Sequence, residues 1–418
     1  MTELAWLHAA LAAARPQAIG ALLRYFRDLD MAEEAFQDAC LRALRNWPLN
    51  GPPRDPAAWL ILVGRNAAVD SVRRQKRLAP LPDESELSDL GDAETALADR
   101  LDSGRYRDDV LRLLFICCHP ELPATQQIAL ALRIVSGLTV RQIARAFLVG
   151  ESAMEQRITR AKARIAAAEV PFEAPGAAER AARLAAVATV VYLIFNEGYS
   201  ATGAERADRG PLCDEAIRLA RLLLRLFPAE PEIMGLVALL LLQHARAAAR
   251  FDADGGIILL EDQDRGLWDR EMIAEALALI DKAMRHRRPG AYQVQAAIAA
   301  LHARAARAAD TDWAQIDLLY ATLERLQPSP VVTLNRAVAV SKLRGAAAAL
   351  AMIEPLEPRL AGYFHFFGVK GALLRQLGQS RAARDAFDRA IALATSAAEA
   401  AHIRMHLDRL AGDDAPGP

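Results

Sequence analysis

The sequence predicts an all-α chain, and three observations carry that prediction. Apolar residues fill 53% of the 418 positions while aromatics fill only 6%. The apolar share is therefore mostly Ala and Leu, the strongest helix formers. Apolar residues also recur at helical spacing in one stretch after another. From Ala177 onward, small and large apolar residues repeat in the manner of stacked helix pairs. At about 100–200 residues per domain, the length calls for two to four domains. Lys and Arg total 51 against 52 Asp and Glu, for a net charge of −1. That balance excludes a uniformly basic nucleic-acid binder but allows local basic patches.

Residues 1–77 form the first domain. Its amphipathic stretches are Ala32–Leu44 and Ala57–Arg77, and Asp55-Pro56 opens the second, Pro being tolerated in a first helical turn. Residues 78–107 carry Pro80, Pro82, Gly91 and Gly104 among the acids Asp83, Glu84, Glu86, Asp89, Asp92 and Glu94. This composition reads as a flexible acidic linker. Residues 108–168 return to helical pattern, with closely spaced breaks at Gly137-Leu138-Thr139 and Gly150. Pro171 and Pro175 mark a hinge.

Residues 177–410 are helix after helix. Phe367, Gly371, Leu374, Gly378, Ala383, Phe387 and Ala390 fall at the small and large positions of a tetratricopeptide (TPR) helix pair. Small residues let two antiparallel helices approach, Phe387 fills the gap beside them, and Gly378 makes the turn. Weaker copies use Ala216, Ala220 and Pro228, then Ala276, Ile280 and Ala283, then Tyr320, Leu323 and Pro328, and a further pair turns at Gly345. About five such pairs make a solenoid-like domain. One insertion, Phe251–Asp264, sets Asp-Gly-Gly before a β-prone run, which predicts a short hairpin or ordered loop.

Several chemistries have no support in the pattern. The acids of that insertion miss the EF-hand ligand spacing. Cys40, Cys117, Cys118 and Cys213 contain no CxxC pair and read as small core residues of a reducing compartment. His402 and His406 stand four apart without an HExxH arrangement. No metal or cofactor is expected, and no Ser/His/Asp or Cys/His set can be argued from the sequence. Asn196, Glu197 and Tyr199 read as a helix end, and Trp268 and Trp313 as core. The start of the chain lacks a charged signal-peptide region. The apolar runs Leu184–Phe195 and Gly235–Leu242 are shorter than a bilayer requires. The expectation is a cytoplasmic protein with no membrane partner.

Two segments carry positive charge in a usable pattern. On the helix over Ala57–Arg77, Trp59, Leu60, Val63 and Ala67 continue one apolar stripe, while Arg65, Asn66, Asp70, Arg73, Arg74, Lys76 and Arg77 lie largely on other faces. Asp70 can pair with Arg73 or Arg74. The remaining cations suit phosphate contacts, and Asn66 can reach a base edge. Further on, Thr139 is a good N-cap for a helix over Val140–Leu148, Val149-Gly150 is a tight break, and a second helix covers Glu151–Ile165. Ile143, Ala144, Phe147, Val149, Met154 and Ile158 join the two at a steep angle, a helix-turn-helix pattern. The second helix exposes Ser152, Glu155, Gln156, Arg157, Thr159, Arg160, Lys162 and Arg164, suited to the major groove and its flanking phosphates.

Two basic helical modules joined by an acidic segment resemble the bacterial sigma-70 family, extracytoplasmic-function (ECF) subfamily. Asp30–Leu44 resembles the polymerase-binding helix of sigma domain 2, Asp55–Leu60 with Gly64–Arg74 its promoter −10 helix, and Leu138–Arg164 the −35-reading helix-turn-helix of sigma domain 4. Phe195–Ser200, Leu212–Arg218, Leu259–Arg265 and Pro328–Val338 are similar to the TPR-like extension that closes one ECF group. The resemblance implies a sigma factor that binds core RNA polymerase at its β′ clamp and β flap and reads −35 and −10 promoter DNA. It also implies that the extension modulates activity and takes a protein or peptide ligand. In this reading Glu33, Glu34, Phe36, Gln37, Asp38 and Leu41 dock on the polymerase, with Phe36 and Leu41 as apolar anchors. Arg65–Arg77 serve the −10 element, and Ser152–Arg164 the −35 element. Glu155 puts a carboxylate on the DNA face, where it can accept from a cytosine amino group. The alternative is a stand-alone helix-turn-helix regulator with a sensing TPR domain. Such a regulator has no need of the polymerase-docking helix or of a second basic helix.

Overall fold

The computed structural model describes residues 5–76, 105–167, 177–201, 209–253, 255–394 and 397–413. Residues 78–104 of the expected acidic linker, Arg77, and the Pro171–Pro175 hinge lie outside the described residues. The fold is all-α, as expected. Among the described residues no strand forms, and the β-prone insertion contributes a single antiparallel bridge between Phe251 and Ile257. Asp252 builds that turn: its side chain accepts from Gly256 N at 2.6 Å, and its carbonyl accepts from Gly255 N at 3.1 Å. The chain divides into two units, Met1–Glu197 and Gly198–Pro418.

The first unit opens with α1 (Ala5–Phe26), α2 (Leu29–Asn50) and α3 (Pro56–Lys76), which pack mutually. Asp28 caps α2 by accepting from Met31 N at 2.8 Å. Asp55 accepts from Ala57 N and Ala58 N at 2.9 and 3.0 Å, so Asp55-Pro56 opens α3 as the sequence indicates. The buried Trp47 meets Trp59 edge to face at 5.4 Å and ties α2 to α3. Then come α4 (Arg105–Cys117), α5 (Ala124–Ile134), α6 (Val140–Ala146), α7 (Glu151–Ala167) and α8 (Ala177–Tyr199). The division between units falls near the end of α8. The unit boundary therefore lies beyond residue 177, where the composition changes.

In the second unit α9 (Pro211–Leu226) packs on α10 (Pro231–His244), α10 packs on both α11 (Arg270–Met284) and α12 (Ala291–Arg304), which touch each other far less, and α13 (Trp313–Leu326) pairs with α14 (Pro330–Arg344). After α15 (Ala346–Ile353) and the short α16 (Glu357–Leu360), α17 (Phe364–Gln376) pairs with α18 (Ser380–Leu393), and α19 (Ala397–Asp413) closes the array. Ala216, Ala220, Ala276, Ile280, Ala283 and Leu323 are all buried, as the repeat predicts. Gly345 and Gly378 turn the chain with φ of 86° and 71°. Ala181–Tyr199 in α8 and Pro231–Ala249, which begins with α10 and runs past its end, are long and apolar enough for a membrane span, more than the isolated apolar runs indicate. In α10, Leu236, Leu239, Leu240, Leu241 and Leu242 are all buried, so core packing accounts for that composition.

Gly371 sets the closest approach in the α17–α18 pair. A Cβ there would sit 2.5 Å from the Phe387 ring, which is fully buried. A solvent-exposed helical Gly gains up to about 1 kcal/mol on replacement by Ala. Here the sign reverses, and Gly371→Ala is expected to destabilise the second unit by about 1–3 kcal/mol through overpacking. Urea unfolding followed by hydrogen exchange in α17 and α18 measures it.

Candidate functional site

The expected polymerase-facing helix, α2, has two distinct sides. Ala32, Glu33, Ala35, Phe36, Ala39, Ala43 and Trp47 are buried. Glu34, Gln37, Asp38 and Leu41 are exposed. Phe36 is only 3% exposed and lies beneath the Arg15 guanidinium, 4.9 Å from its ring centroid. It therefore holds the module together and is not on the surface as an apolar anchor. Leu41 does stand out, and Leu44, one turn on, is exposed beside it. Leu44 was not among the expected docking residues, although its i+3 spacing from Leu41 is the signal that marks it.

In α3, Arg65 is exposed and stands 5.9 Å from the centre of the Tyr25 ring, and Asn66 is partly exposed. Asp70, Arg73, Arg74 and Lys76 continue the same helix.

The helix-turn-helix forms from α6 and α7. Thr139 and Gln142 make a reciprocal capping box at the start of α6. The helix ends at Ala146, two residues before the expected Leu148. Leu148 adopts the left-handed conformation, φ 51°, while its N–H bonds to Arg145 O and that of Val149 to Ala144 O. This is a Schellman closure with Leu in the place usually held by Gly. The glycine of the turn, Gly150, instead precedes α7. Met154, Ile158 and Ala161 seat α7 on its partners, leaving Ser152, Glu155, Gln156, Thr159, Arg160 and Arg164 exposed and Arg157 partly so.

Lys162 is different. Its Nζ lies 2.5 Å from Asp30 and 2.9 Å from Glu33, on the helix α2 expected to face polymerase. Glu33 is only 5% exposed. Arg133 of α5 reaches it at 2.8 Å and Arg15 of α1 at 3.5 Å, while Arg15 also donates to the carbonyl of Ile134 at 2.9 Å. Four helices of the two modules thus converge on one carboxylate. Burial would lower the Lys162 pKa, but the hydrogen bonds to Asp30 and Glu33 outweigh it and leave it above its ordinary value. Burial lowers Arg15, partly offset by Glu33. A second seam joins the modules through buried Asp109, paired with Arg24 at 3.4 Å and Arg112 at 3.2 Å. Gly20 approaches the same residue so closely that a Cβ would lie 2.8 Å from its carbonyl oxygen.

The thiols hold no reactive position. Burial raises Cys40 to about 11 and Cys118 and Cys213 each to about 12, with Cys117 also raised well above its ordinary value. Among the described residues no group of His, Cys, Asp and Glu has the placement of a metal site. In the second unit, Tyr199 is an anchor: Arg250 lies 3.5 Å from its ring centre and donates to its carbonyl at 2.7 Å, and Arg246 donates to its hydroxyl at 2.7 Å. Trp268 is core, 3% exposed, whereas Trp313 is only partly buried.

His302 meets Trp313 edge to face at 5.3 Å. Burial, then the neighbouring Arg246 and Arg265, pushes its pKa down to about 4. Its folded value is therefore below the unfolded one, and the neutral ring is the form that stabilises the fold. That contribution is complete above about pH 6.5 and is lost as pH falls toward 4. His302→Gln is expected to remove up to about 2 kcal/mol of the loss in stability between pH 7 and pH 4.5. Hydrogen exchange resolved to α12 and α13, in native and variant chains at the two pH values, measures the difference.

An exposed acidic and apolar helix face in one module and an exposed polar, basic helix in the next suit a protein partner and duplex DNA. Comparison with known families bears on both modules. Residues 11–78 match sigma-70 region 2 and residues 112–165 match sigma-70 region 4. Residues 183–284 match a family of unknown function, DUF6596. The chain is also 72% identical over 415 residues to an uncharacterized protein of Rhizobium meliloti (strain 1021), covering 99% of this chain and 98% of the relative. The chain belongs to the sigma-70 family. It is an RNA polymerase sigma factor with a role in promoter recognition, and core RNA polymerase and promoter DNA are its partners.

Proposed function

We propose that the chain is a cytoplasmic sigma factor of the ECF subfamily, without catalysis of its own, whose second unit is a TPR-like domain that modulates its activity through a bound ligand. The subfamily assignment is supported by the short stretch between the two matches, residues 79–111. Segments below about 40 residues rarely fold alone, so an intervening region 3 domain has little room there.

The observation that carries the reading is the division of labour between two exposed faces. On α2, Glu34, Asp38 and Leu41 suit a basic-rimmed apolar groove, for which the β′ clamp is the expected partner. On α7, Ser152, Glu155 and Gln156 lie at the N-terminal end that reads base edges at the −35 element. Arg157, Arg160 and Arg164 serve flanking phosphates. Domain 2 takes the −10 bases once the strands part, with Arg65 and Asn66 at the start of the basic stretch. Lys162 and Glu33 engage each other and are not offered to either partner while the modules are packed together.

Run-off transcription with core polymerase on genomic fragments tests it. Discrete start sites that depend on the added chain support a sigma factor, and their alignment gives both elements. A chain that footprints DNA alone and never binds core polymerase is a stand-alone regulator. Output that is the same for the full chain and for one ending at Glu197 removes the modulating role of the second unit.

A further inference from the structure

The second unit holds a half-open cavity of about 670 Å³. That lies within the roughly 300–1,000 Å³ of small-molecule sites. Its walls come from α12, α13, α14, α17 and α19 and from the segment after the Phe251–Ile257 bridge. Apolar groups, among them Trp313, Ile316, Phe364 and Leu373, make the larger part of the lining.

Its charge is one-sided. Arg265, Lys342 and Arg375 line it, against one carboxylate, Glu261. Two of the three cations are occupied. Lys342 binds Glu261 at 2.8 Å. Arg265 donates to the carbonyls of His302 and Ala305, stitching the loop to the end of α12. Arg375, in the last turn of α17, differs: no salt bridge or side-chain hydrogen bond engages it among the described residues, and its Nε is closed off by the protein around it. The outer nitrogens of its planar fork are left to meet a ligand, and a carboxylate is the group that matches them.

We propose that this cavity binds a small organic carboxylate with a flat apolar body, its head held by Arg375 and its body against the wall that contains Trp313 and Phe364. The cation excess selects the anion, and the apolar lining selects the body. The volume suits a molecule of drug size. The proposal deepens the reading that the second unit takes a ligand. It rests on that reading only for any effect on transcription, since binding is measured without polymerase.

Calorimetric titration of the full chain with three probes of one shape tests it: 1-naphthoate, 1-naphthalenemethanol and 1-naphthylmethylamine. Naphthoate is expected to bind once per chain, with the alcohol about 10- to 100-fold weaker and the amine without measurable binding. R375Q is expected to weaken naphthoate by a similar factor and leave the alcohol unchanged. Equal affinity for the three probes, or no naphthoate binding at millimolar concentration, overturns the proposal. So does naphthoate binding that R375Q leaves intact. Should R375Q fail to fold, the ranking of probes on the native chain still decides. An acidic nonapeptide that binds where all three probes fail assigns the cavity to peptide docking instead. None of these outcomes depends on the run-off experiment, so failure of the cavity assignment and failure of the sigma reading are separate results.

Discussion

Glu33→Ala is expected to cost the first unit about 3–5 kcal/mol, the penalty for leaving buried charges without their partner. The carboxylate it removes faces Arg133 at 2.8 Å, Lys162 at 2.9 Å and Arg15 at 3.5 Å. Their side chains are 22%, 18% and 11% exposed, so water cannot fully replace what the mutation takes away. Arg15 and Arg133 are held by backbone carbonyls as well and cannot swing out to solvent without breaking those bonds. Lys162→Met should cost far less, about 1 kcal/mol, because it removes one of three cations and leaves Glu33 paired. The order of the two variants is the discriminating result. A purely surface ion pair would give both an effect below about 1 kcal/mol. Two units make a single global midpoint ill-defined, so the measurement is hydrogen exchange resolved to α2, α5 and α7. Equal protection in the native chain and Glu33→Ala would show that the carboxylate does not hold the modules together.

That network also marks the limit of what periodicity could show. The local devices were legible: Asp55-Pro56 opening α3, the Thr139 cap and the break before α7 follow from neighbours a few residues apart, and the Gly371–Phe387 approach follows from the spacing within one helix pair. Each rests on a rule about one helix or one pair. Glu33 defeats such rules. On an amphipathic helix, a Glu beside Glu34 reads as solvent-facing, and the residues that bury it lie 18, 100 and 129 positions away. Phe36 fails for the same reason: an aromatic on a docking helix and one in the core have the same spacing. Leu148 is a different case, since the Schellman turn put Leu where Gly was the natural expectation and shortened α6. The cavity around Arg375 was beyond reach because five helices contribute to it, and only their packing brings its guanidinium to a mostly apolar wall.

Arg157, Arg160 and Arg164 replaced together by Ala are expected to abolish specific transcription while leaving core polymerase binding intact. The three side chains lie on α7 away from Met154, Ile158 and Ala161, so their removal does not disturb the packing that holds the helix. Each phosphate contact contributes about 0.9 to the slope of log affinity against log salt. Three contacts make about 2.7, so between 50 and 200 mM salt the native holoenzyme should lose about 40-fold more affinity for its promoter than the variant does. Lys162→Gln is the control within the same helix. It is paired with Asp30 and Glu33, so its loss should loosen the modules and leave the salt slope nearly unchanged. Filter binding of reconstituted holoenzyme on a promoter found by run-off measures both. A triple variant with the native slope would remove α7 from the DNA interface. A slope that drops for Lys162→Gln instead would mean that the modules separate on DNA and turn this cation toward the phosphates.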